Sequence, residues 1–216
     1  MTNIVFDLDG TLIDSAPDIH AAANRMLADE GHAPLDIETI ISFIGNGLPK
    51  LVERVMRTRA IDPGEHARLS GLTLDYYNAD PATLSRVYPG LKTLLPALKA
   101  QGHKLGICTN KPEEPARAIL PALGLDGLFD VVIGGDALPV KKPDPAPLLH
   151  AFDALGEGTR LYVGDSEVDA QTANRAGVPF ALFTEGYRKT PVAELPHAHA
   201  FGDFADLGEI IKEKYS

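Results

Sequence analysis

The fold is decided by the stretch IVFDLDGT at residues 4–11, in which two aspartates follow a short apolar run. The run Ile4–Phe6 has the length and composition of a buried strand. Asp7 and Asp9 lie two residues apart at its end, so their carboxylates share one face and are close enough to hold one hard cation. Gly10 allows the chain to turn away directly after them. The alternatives are an EF-hand-type calcium loop, which places its glycine at position 6 rather than position 4, and a plain helix-capping turn.

Similar apolar runs recur along the chain, each followed by Gly, Asp, Asn or Thr. They do not alternate with polar residues, which is typical of strands that are covered on both faces in a parallel sheet. From residue 90 onward, helical patterns that end at glycine separate these runs. The repeat predicts an α/β fold with a doubly wound, parallel-sheet (Rossmann-like) core. The predicted strands are Ile4–Phe6, Lys104–Cys108, Asp130–Ile133, Arg160–Val163, Phe180–Phe183 and Ala198–Phe201.

Residues 14–87 break this repeat because their pattern is helical throughout. Ser15 and Asp18 have the spacing of a capping box at the start of the first of these helices. Because the first strand precedes the helical stretch, we predict an insertion rather than a separate N-terminal domain. The expected organisation is an α/β core domain at residues 1–13 and 88–216, with a helical cap domain at residues 14–87.

Composition and charge narrow the classes of function. The chain has 216 residues, of which 44% are hydrophobic and 23% charged, and these are values of a globular protein. Its net charge of −10 disfavours nucleic acids and anionic membrane surfaces as partners, but a locally positive pocket can still bind a small anion. The single Cys108 cannot form an internal disulfide, and neither a signal peptide nor a membrane-spanning run is recognisable. We expect a cytoplasmic monomer or homodimer that acts on a small metabolite.

Further polar residues follow other predicted strands. They are Thr109, Asn110, Lys142, Asp165 and Asp169. Ligands of open α/β sheets bind outside the carboxyl ends of the strands, so these side chains can meet Asp7 in one crevice. A carboxylate nucleophile, a hydroxyl, an ammonium and a metal held by acids together suit phosphoryl transfer, in which negative charge on the transferred group must be neutralised. We therefore expect Lys142 and Thr109 to be catalytic together with the aspartates.

In this order, the motifs resemble those of the haloacid dehalogenase superfamily. They are DLDGT at residues 7–11, TN at 109–110, Lys142 and GDSEVD at 164–169, and they span nearly the whole chain. The second aspartate of the first motif resembles the phosphatase branch rather than the dehalogenases. The resemblance implies that the threonine and asparagine of the second motif hold the phosphoryl oxygens of a substrate.

The same resemblance implies a mechanism with two carboxylates. Asp7 would attack phosphorus to form an aspartyl-phosphate, and Asp9 would protonate the leaving alcohol and then activate water. Mg²⁺ would be held by the Asp7 carboxylate, the Asp9 backbone carbonyl and Asp165. Asp169 would be a further ligand or a support for the other ligands. The expected metal site is therefore formed by Asp7, Asp9, Asp165 and Asp169.

Within the superfamily, several segments resemble the phosphoglycolate phosphatases. They are residues 44–54, the run Cys108–Pro112, and Gly134-Gly135-Asp136 ahead of Lys141-Lys142-Pro143. Asp144 departs from the pattern, because many members have His there. The resemblance implies hydrolysis of 2-phosphoglycolate to glycolate and phosphate. The alternatives are another small phosphorylated metabolite as substrate, a phosphoryl-transfer isomerase of the β-phosphoglucomutase type, or a non-enzymatic receiver-type switch that is phosphorylated on Asp.

The predicted cap contains one loop that suits an anion. Gly45, Asn46 and Gly47 precede a helix that begins near Pro49, and the free N–H groups at a helix start favour negative charge. We expect these three residues, with Lys50 nearby, to receive the carboxylate of a two-carbon phosphate. The alternative is an ordinary turn between helices without ligand contact.

Overall fold

A parallel six-stranded sheet forms the centre of the protein in the computed structural model, which describes residues 1–79 and 82–215. In chain order the described strands are β1 (Thr2–Phe6), β2 (Ile13–Asp14), β3 (Arg86–Val87), β4 (Lys104–Cys108), β5 (Val131–Ile133), β6 (Thr159–Gly164), β7 (Phe180–Phe183) and β8 (His199–Phe201). The large sheet has the order β5-β4-β1-β6-β7-β8 with every neighbouring pair parallel. This confirms the predicted fold class, with one strand for each predicted apolar run.

Helices surround the sheet and form the segment between β2 and β3. The described α-helices are α1 (Ala16–Asp29), α2 (Ile37–Ile41), α3 (Leu48–Thr58), α4 (His66–Ala79), α5 (Leu91–Ala100), α6 (Glu113–Ala122), α7 (Ala146–Leu155), α8 (Glu167–Ala176) and α9 (Phe204–Lys214). Short 3₁₀ turns lie at Pro63–Glu65 and Val192–Glu194. Within residues 1–79 and 82–215, no helix is both long and apolar enough to cross a bilayer.

Strand β1 is buried along its whole length because helices cover both faces of the sheet. Ile4 and Phe6 pack in the apolar cluster that includes residues of α5, α6 and α9. Val5 packs on the opposite face, in a cluster with residues of α7 and α8. This two-sided burial explains why the sequence shows continuous apolar runs instead of alternation.

Helices α1 to α4 have an apolar core of their own, centred on residues such as Met26, Leu27 and Leu69. The two segments that connect them to the sheet run antiparallel and pair as β2 and β3. The expected boundaries of the cap, residues 14–87, fall within this small ribbon and stay a prediction. Asp80 and Pro81 of that range, and Ser216 of the expected core range, lie outside the described residues.

The predicted capping box at the start of α1 is wrong. Ser15 occupies the N-cap position, but its side chain makes no capping hydrogen bond, and its hydroxyl donates to Asp9 Oδ1 at 2.6 Å. Asp18 accepts hydrogen bonds from the backbone N–H groups of Leu84 and Ser85, at 3.0 and 2.8 Å. Tertiary contacts therefore replace the local hydrogen bonds: Ser15 binds Asp9 in the loop after β1, and Asp18 binds the segment that leads from α4 to β3.

Candidate active site

The carboxyl ends of adjacent strands bring the expected site residues together. Asp7 follows β1, Thr109 follows the neighbouring β4, and Asp165 follows β6 on the other side of β1. Lys142 comes from the loop between β5 and α7. All four residues are buried. They meet at the edge where open α/β sheets bind their ligands.

One carboxylate oxygen of Asp7 is held in place while the other remains available. Oδ1 accepts the N–H of Leu8 at 2.7 Å and lies 2.9 Å from Lys142 Nζ. Oδ2 has no hydrogen-bond partner within the part of the chain that the structure describes. Burial and the nearby carboxylate of Asp169 raise the pKa of Asp7 to about 7, against the lowering effect of Lys142. Asp7 thus presents one oriented oxygen to the crevice.

Lys142 is a buried cation with three partners. Its Nζ lies 2.9 Å from Asp7 Oδ1, 2.7 Å from Asp169 Oδ1 and 2.9 Å from the hydroxyl of Tyr162. Burial alone lowers the pKa of Lys142, but the carboxylates of Asp169 and Asp7 outweigh that effect and raise it. The side chain is therefore a fixed positive charge beside Asp7, where it can neutralise a phosphoryl group.

Asp7 belongs to a cluster of three carboxylates. Oxygen atoms of Asp7, Asp165 and Asp169 lie within 4.8 Å of one another, and all three residues are buried. Burial raises the pKa of Asp165, and the carboxylates of Asp169 and Asp7 raise it further. Lys142 is one cation against these three carboxylates, and a donor set made only of oxygens is what a hard divalent cation such as Mg²⁺ prefers, so the cluster suits that ion.

Asp165 and Asp169, the two aspartates of GDSEVD at residues 164–169, differ in how many lone pairs of their carboxylates are free. Each oxygen of Asp169 already accepts at least two hydrogen bonds, from Lys142, Tyr162 and the N-terminal turn of α8. Asp165 accepts one bond on each oxygen, from the hydroxyl of Thr11 at 2.8 Å and from a backbone N–H at 2.6 Å. Asp165 therefore has lone pairs left for a cation, whereas Asp169 orients its neighbours.

Three hydrogen-bond donors remain available at the strand ends. The Oγ of Thr109 accepts the N–H of Lys111 at 3.2 Å, and its own O–H has no acceptor among the residues that the structure describes. The backbone N–H groups of Asp9 and Asn110 also have no acceptor within those residues. Donors that are preorganised in this way can stabilise the oxygens of an anion.

The Asn110 side chain is occupied differently from what the sequence indicated. Its Nδ2 donates to the carbonyl of Gly45 at 3.0 Å and to the carbonyl of Lys142 at 3.1 Å. Its Oδ1 is buried without a partner among the described atoms. The amide thus joins the cap loop to the loop that carries Lys142, and the backbone N–H of Asn110 is the group left for a ligand.

Asp9 lies closer to the cap than Asp7. Its Oδ1 accepts the hydroxyl of Ser15 at 2.6 Å and lies 3.3 Å from Lys111 Nζ. Its backbone carbonyl accepts no hydrogen bond from another described backbone group. The side chain can therefore exchange a proton with a ligand in the crevice, while the carbonyl is free to bind a cation.

Comparison with known proteins agrees with this geometry. Residues 4–183 match the sequence model of a family described as haloacid dehalogenase-like hydrolase. The chain belongs to the haloacid dehalogenase-like hydrolase family. A phosphoglycolate phosphatase of Cereibacter sphaeroides (strain ATCC 17029 / ATH 2.4.9) is 54% identical over 214 residues, which cover 98% of each chain. Another, of Rhodobacter capsulatus, is 46% identical over 212 residues, covering 97% of this chain and 96% of its own.

Solved structures place the fold in the same family. A protein from Haemophilus somnus 129PT, described as a predicted phosphoglycolate phosphatase, superposes with a TM-score of 0.91 at 35% identity, covering 96% of each chain. Together these relatives place the chain among the phosphatases of the haloacid dehalogenase-like family. They argue against the receiver-type alternative, which is not an enzyme.

In this haloacid dehalogenase-like phosphatase, the cap loop reaches the crevice. Gly45 and Gly47 line a cavity together with Asp7 and Asp9. Asn46 lines a second cavity on the side of the acidic cluster, and its Oδ1 accepts a hydrogen bond from Arg54 at 2.8 Å. The loop therefore lies where a substrate would contact it.

The structure does not bring Lys50 into either cavity. Its ammonium pairs with Glu53 at 2.7 Å, and about half of its side chain (47%) is exposed. Leu51, the next residue of α3, is buried and lines the cavity, so Lys50 lies on a different face of the helix, toward solvent. The expectation that Lys50 meets the substrate is thus not supported by its position.

Lys111 and Tyr77 are two polar side chains of the cavity that were not predicted from the sequence. Both line the cavity, and their Nζ and hydroxyl lie 2.7 Å apart. The position of Lys111, directly after the TN motif, was an available signal. Tyr77 belongs to a helical pattern with no distinguishing feature, so only the folded chain reveals its contact.

Proposed function

We propose that the protein is a Mg²⁺-dependent phosphomonoester hydrolase that forms an aspartyl-phosphate on Asp7, with 2-phosphoglycolate as its substrate. The observation that carries the proposal is the state of the Asp7 carboxylate: one oxygen is fixed by Leu8 and Lys142, and the other faces the cavity without a hydrogen bond among the described residues. A carboxylate held in this way is an oriented nucleophile. The names of the relatives at 54% and 46% identity support the substrate.

In the first step, the free oxygen of Asp7 attacks phosphorus, and the bond from phosphorus to the alcohol oxygen breaks. Asp9 gives its proton to that oxygen, so the alcohol leaves neutral. The products of this step are an acyl phosphate on Asp7 and, from 2-phosphoglycolate, glycolate. Ser15 and Lys111 fix one oxygen of Asp9 and leave the other to carry the proton.

In the second step, Asp9 acts as a general base instead of a general acid. Its carboxylate takes a proton from water as the water oxygen attacks phosphorus. The bond from phosphorus to Asp7 breaks, which releases inorganic phosphate and restores the carboxylate. Two steps with one acid–base residue are consistent with the placement of Asp7 and Asp9 on the same loop, since both must reach one phosphorus atom in turn.

The remaining residues neutralise charge on the phosphoryl group. Asp9, Thr109 and Asn110, which offer the free hydroxyl and backbone N–H groups, line the cavity beside Asp7, and Lys142 contacts the Asp7 carboxylate. When bound, Mg²⁺ adds Lewis-acid stabilisation of the phosphoryl oxygens. The carboxylates of Asp7 and Asp165 and the backbone carbonyl of Asp9 would hold it. We assign Asp169 the support of Lys142 because its oxygens are already occupied.

The cap loop completes the proposed substrate site. We assign contacts with the substrate to Gly45, Asn46 and Gly47, since all three line the crevice. Gly47 is also the N-cap of α3, where unpaired N–H groups favour an anion. The cap would exclude water during the first step and admit it for the second.

The test is phosphate release from a panel of small phosphomonoesters, in Mg²⁺ or in EDTA, for the wild type and Asp7→Asn. We expect a strong preference for 2-phosphoglycolate that disappears with EDTA and in the variant. Metal-dependent release from sugar or nucleotide phosphates instead would contradict the substrate. Turnover that needs a sugar bisphosphate activator would favour a β-phosphoglucomutase-type isomerase.

A further inference from the structure

A second buried cation lies on the cap side of the site. The side chain of Lys111 is only 7% exposed, although it carries an ammonium. Its Nζ lies 2.7 Å from the Tyr77 hydroxyl and 3.3 Å from Asp9 Oδ1. Lys111 belongs to the loop after β4 in the core, whereas Tyr77 belongs to α4 in the cap. A core residue and a cap residue thus place one polar pair at the wall of a shared cavity.

We propose that Lys111, assisted by the hydroxyl of Tyr77, binds the carboxylate of the substrate and so selects small phosphorylated acids. This inference rests on the proposed function and deepens it, because it names the residues that distinguish the substrate from other phosphomonoesters. Lys111 takes the role predicted for Lys50, whose ammonium pairs with Glu53 and which lines neither cavity.

The distances fit a carboxylate that is one carbon away from the ester oxygen. A general acid lies about 2.6–3.2 Å from the oxygen that it protonates. In a phosphorylated 2-hydroxy acid, the nearer carboxylate oxygen lies roughly 3 Å from that ester oxygen, given ordinary bond lengths. Lys111 Nζ is 3.3 Å from Asp9 Oδ1, so the carboxylate of a leaving group that contacts the other oxygen of Asp9 is within reach of the ammonium.

The charges around the cavity favour such a cation. The carboxylate of Asp7 lines the cavity, so a second anionic group on the substrate would be repelled unless a positive charge met it. Lys142 is already held by Asp7 and Asp169. Among the described residues that line this cavity, Lys111 is the only cation.

The size and walls of the cavity point to the same substrate class. It has a volume of about 60 Å³ and shares Asp7, Asp9 and Gly45 with the second cavity. A buried water needs about 10–15 Å³, so this part of the site has room for the four heavy atoms of a carboxymethyl group. Apart from the site residues and Tyr77, the walls are apolar, with Ile19, Leu48 and Leu51 among them. Sugar hydroxyls would lose their hydrogen bonds to water there without gaining new ones.

One other lysine is a rival for the carboxylate. Lys189 lies on the side of the acidic cluster, lines the second cavity, and donates to the carbonyl of Ile44 at 3.2 Å. That cavity is lined by both Asp9 and Asp165, so Lys189 could also meet a substrate carboxylate. The experiment therefore includes it as a separate arm.

The experiment compares two esters that differ only in the carboxylate. Values of kcat/KM in Mg²⁺ are measured for 2-phosphoglycolate and ethyl phosphate with the wild type, Lys111→Met, Tyr77→Phe and Lys189→Met. Lys92→Met, an exposed residue of α5, is the matched control. We expect Lys111→Met to lower the preference for 2-phosphoglycolate about 10- to 100-fold, mainly through KM, and Tyr77→Phe to lower it less. The preference of Lys189→Met and Lys92→Met should equal that of the wild type.

Two results would overturn the assignment. Equal losses for both esters in Lys111→Met would mean that the lysine acts only through Asp9 or through folding. A collapse of the preference in Lys189→Met alone would move the carboxylate to the second cavity. If Lys111→Met fails to fold in a thermal melt, Tyr77→Phe decides, since an unchanged preference there contradicts the shared site. A wild type without preference between the esters would instead refute the proposed substrate itself, and the inference with it.

Discussion

The hydroxyl of Tyr162 lies 2.9 Å from Nζ of Lys142, so a residue of the central sheet fixes the ammonium that contacts Asp7. The same hydroxyl donates to Asp169 Oδ1 at 2.6 Å. Tyr162 is fully buried in β6. The direction of the Lys142 side chain is therefore set by the rigid core, although the lysine itself comes from a loop.

We predict that Tyr162→Phe lowers kcat about 10-fold and leaves KM for 2-phosphoglycolate nearly unchanged. The ring still fills its space, but Lys142 and Asp169 lose a partner whose hydrogen bonds to charged groups are worth about 1.5–3 kcal/mol. Part of that loss should appear as a free energy of unfolding about 1–2 kcal/mol lower. Steady-state kinetics and urea denaturation measure the two effects. Tyr76→Phe, which removes a hydroxyl near the cap surface, is the control, and an equal drop in both variants would contradict a role for Tyr162.

Magnesium should stabilise the fold through the three carboxylates of the acidic cluster. At one hundred times its Kd, a ligand that binds only the folded state adds about 2.7 kcal/mol to the free energy of unfolding. For a chain of this size, we expect Tm to rise by about 5–10 °C. In Asp165→Asn this rise should disappear, because the residue with free lone pairs is lost.

Without metal, the same substitution should have the opposite effect on stability. Asp165 is buried beside Asp7 and Asp169, and replacing it by a neutral isostere removes repulsion worth about 1 kcal/mol or more. Metal-free Asp165→Asn is therefore expected to melt at or above the metal-free wild type. Thermal melts in EDTA and in Mg²⁺ test both effects, with the exposed Asp126→Asn as control. A metal-dependent Tm in Asp165→Asn would contradict the assigned ligand.

We expect kcat/KM to fall less when the side chain of Asn110 is removed than when it is replaced by a carboxylate of the same shape. Asn110→Ala removes two hydrogen bonds, to the carbonyls of Gly45 and Lys142, and we expect kcat/KM to fall about 10-fold. Asn110→Asp directs a negative oxygen at those carbonyls and toward the phosphate, so its loss should reach about 100-fold or more. Kinetics and hydrogen exchange of the cap loop are the measurements, with the exposed Asn174→Asp as control. The reverse order of the two variants would show that Asn110 does not join the loops through its N–H groups.

The sequence predicted the parts of the site that strands alone can place. Asp7, Thr109 and Asp165 each follow an apolar run, and the geometry of a parallel sheet brings such positions to one edge. Lys111 and Tyr77 could not be paired in the same way, because their contact depends on how the cap packs against the core. Local patterns describe neighbours along the chain and carry no information about that packing.

The failed prediction for Ser15 and Asp18 has the same physical origin. A capping box offers each side chain one local hydrogen bond, whereas the fold offers Ser15 the carboxylate of Asp9 and offers Asp18 the N–H groups of Leu84 and Ser85. Buried N–H groups without a partner are costly, so the distant contacts win. Residues near a connection between domains are therefore the ones whose roles a local pattern predicts least well.

The loop at residues 7–11 packs closely against Asp165 at Gly10, and substitution of this glycine tests whether the site needs that close contact. Its φ is +89°, and an added Cβ would lie 2.6 Å from Asp165 Oδ2 and 2.8 Å from Cδ2 of Tyr187. Gly102 has nearly the same φ, +86°, but it is exposed, and an added Cβ would meet no atom within 4 Å. A side chain at either glycine would therefore suffer the strain of a positive φ, but only at Gly10 would it also be crowded.

We therefore predict different outcomes for alanine at the two positions. Gly102→Ala should lose about 1–2 kcal/mol in free energy of unfolding from the left-handed backbone alone, with unchanged kcat/KM. Gly10→Ala adds overpacking of about 1–3 kcal/mol and must displace the Asp165 carboxylate, so kcat/KM should fall more than about 100-fold and stabilisation by Mg²⁺ should weaken. Urea denaturation, kinetics and metal-dependent melts compare the pair. Equal stability losses with retained activity would mean that the loop relaxes around the new methyl group, and that the close approach of Gly10 to Asp165 is not needed for the metal site.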